Sequence, residues 1–115
     1  MNDGLITFIE GRMPLPGVAA WSVRNPDGEL AHCCFREGLS SEQIEQTLAR
    51  LTLAAESLRY HKIEPARICW VFADLRLHVA LRHDGGCLTL FVKDRSQYGD
   101  GALLSVLDDF LHVPM

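Results

Sequence analysis

Residues 66–93 read ARICWVFADLRLHVALRHDGGCLTLFVK, and this stretch decides the fold. From Leu75 onward, Leu75, Leu77, Val79 and Leu81 alternate with Arg76, His78, Ala80 and Arg82. A period of two puts the first set on one face of a strand, against a core, and the cations on the other, in water. His83-Asp84-Gly85-Gly86 follows and signals a hairpin turn, because glycine takes positive φ without a Cβ penalty. The next run repeats the alternation, with Leu88, Leu90 and Val92 opposite Thr89, Phe91 and Lys93. The run before, Ile68 to Ala73, is apolar on both faces, and a strand of that kind is normally covered on both.

Upstream, Ser40-x-x-Gln43 reads as a capping box opening a long helix. Ile44, Leu48, Leu51, Ala55 and Leu58 wind onto one stripe of that helix. Glu42 and Glu45 at its start, and Arg59, His61 and Lys62 at its end, suit the helix dipole, and Pro65 stops it. On the reverse side lie Ala49, Leu53 and Tyr60. Scattered surface apolars need no explanation, but a line of three on one helix face also fits a second contact stripe. Before the helix, Val18–Val23 and Glu29–Phe35 read as a hairpin around a type I turn at Asn25-Pro26-Asp27-Gly28. Leu5, Ile6, Ile9 and Met13 suggest a short helix over residues 3–13, although LITFI also fits a strand. The polar segment 94–100 is a loop, and Gly101–His112 forms a last helix with a wide apolar face.

The chain has 115 residues, which suits one domain over 1–115. Its 48% apolar and 23% charged residues are ordinary for a soluble globular protein. A net charge of −4 with 11 scattered Lys and Arg argues against a nucleic-acid partner, which needs concentrated positive charge. No apolar run approaches the ~20 residues of a membrane span. The start, MNDGLITF, lacks the features of a secretory signal, so a cytoplasmic location is expected. Cys33, Cys34, Cys69 and Cys87 match no zinc spacing. Each falls in an apolar strand, where free cysteine packs as a small hydrophobe.

Chemistry is sparse. No phosphate-cradling glycine loop, zincin motif or nucleophile elbow occurs, so no cofactor, metal or catalytic residue is expected. His32-Cys33-Cys34 is the densest reactive cluster. Neighbours on a strand point apart, so only His32 and Cys34 share a face, and no third group orients them. Arg76, His78 and Arg82 are either a solvated face or a contact for an acidic partner. Asp108-Asp109 is read as solvent-facing.

The element order is helix, hairpin, long helix, three strands, helix. With Leu15-Pro16-Gly17-Val18, Asp27-Gly28-Glu29-Leu30 and Asp84-Gly85 ahead of Cys87-Leu88-Thr89-Leu90, the chain resembles the roadblock family, the roadblock-type dynein light chain domain also widespread in bacteria. The resemblance implies an α+β, profilin-like fold: a five-stranded antiparallel sheet, order 2-1-5-4-3, flanked by helices. It also implies a homodimer that scaffolds or regulates small Ras-like GTPases without an enzymatic site. Family dimers pair the third strand and the long helix with their copies, which points to Ala49, Leu53, Tyr60, Ile68, Trp70 and Phe72 as interface. A two-fold pairing would also cover an apolar edge strand that otherwise invites aggregation. Ala73-Asp74-Leu75 departs from the family as a short, Gly-poor turn, and a single strand bent by a bulge at Asp74 is the alternative. Two other functions fit a small acidic α/β chain: a secretion-type chaperone holding an extended segment, and a small-molecule sensor with Cys33, Cys34, Cys69 and Cys87 lining a pocket under the sheet.

Overall fold

The computed structural model describes residues 4–13, 15, 17–34, 41–62, 66–71, 75–93 and 100–114. In chain order these form α1 (Gly4–Arg12), β1 (Val18–Arg24), β2 (Leu30–Cys34), α2 (Ser41–Tyr60), β3 (Arg67–Val71), β4 (Arg76–Leu81), β5 (Cys87–Val92) and α3 (Asp100–Leu111). The strands make one sheet in the order β2-β1-β5-β4-β3, and every neighbouring pair is antiparallel. Both the fold class and the strand order expected from the sequence are found.

Two cores sandwich the sheet. On one face, Leu5 and Ile9 of α1 and Leu103, Val106, Leu107 and Phe110 of α3 pack on Trp21, Val23, Ala80, Leu88, Leu90 and Val92. On the other, Ile44 of α2 packs on Ala20, Leu77 and Phe91, with Leu48, Leu51, Trp70 and Leu75 partly buried beside them. The central strand β5 is therefore buried on both faces, Thr89 and Phe91 included. A register shift between Val18 and Ala20 lets Val18 and Trp21 reach the α1/α3 core while Ala20 faces α2. That extra residue is a β-bulge, a local kink in the bulged strand.

Val71 pairs with Arg76 and Arg67 with Ala80, so β3 and β4 form a hairpin rather than one bent strand; residues 72–74 lie outside the described residues. The edge strand β3 is also not covered on both faces. Ile68 and Trp70 turn toward α2 and are half-buried, whereas Cys69 and Val71 are exposed. Of the four cysteines, Cys33 packs against the α1/α3 core as expected, Cys87 is partly covered, and Cys34 and Cys69 are exposed.

Two turns at one end of the sheet share a geometry. Gly28 N donates to Asn25 O at 2.9 Å and Gly85 N to Arg82 O at 3.2 Å. Both glycines sit at positive φ, +94° and +97°, the left-handed position that closes a type I hairpin turn. In each, an aspartate caps the second backbone amide beyond it: Asp27 Oδ1 accepts from Glu29 N at 2.8 Å, and Asp84 Oδ1 from Gly86 N at 2.9 Å.

The second turn overturns the solvated reading of Arg82, which is only 9% exposed. Its position places the guanidinium under the C-terminal end of α3, where helix carbonyls lack intrahelical partners. Nη1 donates to Phe110 O and Nη2 to Val113 O, both at 2.6 Å. The same group holds Asp84 through Nε and Nη2 at 3.0–3.2 Å. Gly86 lies so close that a Cβ there would come within 3.0 Å of both Arg82 and Leu5. Asp109, which faces solvent as expected, also pairs with Arg12 at 2.9 Å and ties α1 to α3.

Arg82→Ala should lower stability by about 2–3 kcal/mol, the scale for charge-assisted bonds to buried acceptors, measured by urea unfolding; a loss under ~0.5 kcal/mol would show that the clasp is dispensable. Hydrogen bonds from Arg82 hold the Asp84 carboxyl below its ordinary value. Its stabilising contribution is thus fully present above the unfolded value of about 3.9 and is lost as pH falls through the lower folded value. Asp84→Asn should flatten the acid limb of the stability curve in that range; an unchanged limb would contradict the linkage.

Candidate functional site

The helix α2 lays its inner stripe on the sheet and leaves its outer stripe uncovered. Ala49 is exposed, Leu53 is 66% exposed and Tyr60 83%. Glu56, four residues before Tyr60, lies between them on the same outer face. Lys62, at φ 63°, ends the helix in the left-handed conformation typical of C-terminal caps. The side chains of Ala55 and Arg59 lie outside the described residues.

The second open feature is β3, whose far edge has no strand partner among the described residues. Of the residues expected at an interface, Ile68 and Trp70 contribute to the α2 side and Phe72 lies outside the described residues. The apolar side chain most open on this strand is Val71, 63% exposed, which the sequence reading passed over. Its alternation with Trp70 was available, but a run apolar on both faces gave no sign of which face the helices would leave bare. The α1/α3 core leaves β3 uncovered because its helices pack over β1, β5 and β4.

The cationic row does not form a surface of three. Arg82 is turned inward, and Arg76 and His78 are half-buried on the α1/α3 face. His78 Nε2 lies 4.0 Å from Sγ of Cys69, its cross-strand partner, a pairing that only the strand register reveals. His32 and Cys34 do share a face, opposite Ser22 and Ala20 of β1. Burial first, and the neighbouring Cys33 second, push the Cys34 thiol above its ordinary value. That disfavours the thiolate, the reactive form, the reverse of what a nucleophile requires. Among the described residues, no group of three His, Cys, Asp or Glu could hold a metal ion.

No protein-family model and no curated protein matches the sequence. Solved structures do match in shape. The gliding protein MglB from Thermus thermophilus superposes with a TM-score of 0.66 at 12% identity, over 96% of this chain and 88% of its own. MglC from Myxococcus xanthus gives 0.62 at 19% identity, over 95% and 94%. A Roadblock/LC7 domain from Streptomyces avermitilis gives 0.59 at 16% identity, over 96% and 92%. The chain has the roadblock fold. At these identities the likeness is one of backbone architecture. Within it, the open β3 edge and the outer stripe of α2 are the candidate interaction surface.

Cys34 should alkylate with iodoacetamide at pH 7 more slowly than the same cysteine in urea, with its rate still rising above the ordinary thiol range. A rate faster than in the unfolded chain would show an activated thiol and reopen the case for chemistry at His32 and Cys34.

Proposed function

We propose that the chain is a non-enzymatic homodimeric module that scaffolds or regulates a small Ras-like GTPase. One observation carries the dimer: an apolar edge strand, open at Val71, accompanies an apolar outer stripe on α2 at Leu53 and Tyr60. An uncovered edge offers free backbone donors and acceptors to any extended chain. Pairing β3 with its copy about a two-fold axis satisfies those groups and makes one interface from identical patches. Because α2 lies over one face of the sheet, the same axis brings the two α2 helices side by side. One of the structures that shares the fold is described as MglB with a tetrameric arrangement, at a TM-score of 0.65, and this supports association as a use of the architecture. The GTPase partner follows from the family resemblance. Such a module works by presenting a surface rather than by bond chemistry.

The mass from light scattering should be twice 12.9 kDa and persist on dilution. Leu53→Glu and Val71→Lys should each weaken self-association at least tenfold, about 1.4 kcal/mol, with the circular dichroism spectrum unchanged. A wild-type monomer, or undisturbed dimers from both variants, would refute the interface. Capture of a purified small GTPase loaded with GTP or GDP tests the second half; equal failure in both states would leave the dimer without its proposed partner class.

A further inference from the structure

The sheet face under α2 carries two hydroxyls that the packing does not use. Ser22 on β1 and Thr89 on β5 are cross-strand partners, each 1% exposed. Neither hydroxyl oxygen meets a hydrogen-bond partner among the described residues. Buried polar side chains are ordinarily bonded, so two adjacent exceptions on one face mark a point suited to a polar atom from another molecule. Both line a cleft of about 180 Å³ between the sheet and α2.

The cleft has a sequence cause. Toward one end of this face the large Phe91 and Leu77 fill the space beneath Ile44. Further along, the same face carries the smaller Ser22, Thr89 and Cys87, and Leu48 and Leu51 of α2 stay only partly buried. The walls are apolar, from Leu48, Leu51, Trp70 and Val79. Arg24 also lines the cleft; it is the next residue on that face of β1 after Ser22, about 7 Å along the strand. It makes no ion pair among the described residues. Two hydroxyl donors and a guanidinium at the end of an apolar slot suit an acceptor-rich, negatively charged head on an apolar body. The other charged lining residue, Glu56, comes from the helix side and is exposed.

We propose that this cleft binds a small apolar carboxylate, with Ser22 and Thr89 donating to its oxygens and Arg24 meeting its charge. Of the four cysteines, only Cys87 lines the site, so the ligand is held by hydroxyls rather than by thiols. Ile68 and Trp70 of β3 line the cleft from the α2 side, but the carboxylate site does not rest on the GTPase reading, which stands or falls without it.

Octanoate, with 1-octanol as the uncharged comparison, tests the assignment on the full chain by amide-resolved NMR titration and calorimetry. Octanoate should shift the amides of Ser22, Arg24 and Thr89 and the indole of Trp70, and bind at least tenfold more tightly than 1-octanol. The double variant Ser22→Ala, Thr89→Val should bind octanoate at least tenfold more weakly, and Arg24→Gln several-fold more weakly. Without ligand, the double variant should melt at a higher temperature than the wild type, because it no longer buries two unpaired hydroxyls. Shifts confined to other surfaces, equal binding of 1-octanol, or unchanged affinity in the double variant would overturn the proposal. So would a lower melting temperature for the unliganded double variant, which would mean that ordered water or a second copy of the chain already satisfies the hydroxyls.

Discussion

A buried guanidinium joins the two ends of this fold. Arg82 reaches up from the β4–β5 turn to the C-terminal end of α3, donating to Phe110 O in its last turn and to Val113 O just beyond it. A charge so deeply placed is tolerable only with its donors engaged, and Asp84 from the same turn completes the set. The ring of Phe110 lies 5.7 Å from the guanidinium carbon and adds an aromatic face. The position of α3, and through Phe8 and Phe110 that of α1, is therefore referred to a turn of five residues. Gly86 permits the close approach, since any side chain there would displace Arg82 or Leu5.

The two faces of the sheet differ as a result. On the α1/α3 side, two helices cover the central strands, an ion pair from Arg12 to Asp109 links them, and large side chains fill the layer. On the α2 side, Ile44 is the one fully buried side chain among those of the helix that are described, and the residues beneath its middle are short. The α1/α3 layer stops short of β3 and leaves Cys69 and Val71 bare, while the looser side carries the outer stripe of α2 and the cleft beneath it.

The elements themselves were legible because their signals are local. Period-two runs marked β4 and β5, a five-position stripe marked α2, and Asp-Gly pairs marked both turns. The strand order came from the family resemblance, since nothing in a strand's own residues says which neighbour it takes. Arg82 was misread for a related reason: alternation correctly put it on the face of Ala80, but a period cannot tell a face bathed in water from one covered by a helix 28 residues later in sequence. The Arg-x-Asp-Gly-Gly run was its only local hint. Val71 and the Ser22–Thr89 pair were invisible likewise, because exposure and lack of partners depend on what packs above, which no spacing records.

Three of the four strand pairings join neighbours in sequence, and the fourth, β1 with β5, brings Val18 to Val92. The sheet is thus two local units, a hairpin and a three-stranded meander, seamed along one line. Nearly all the chain-closure entropy of the sheet falls on that seam, since hairpins close short loops and this pairing closes a long one. A topology of this kind concentrates the search during folding into a single docking event. The bulge beside Val18 sits at the end of the seam where the register of that event is set.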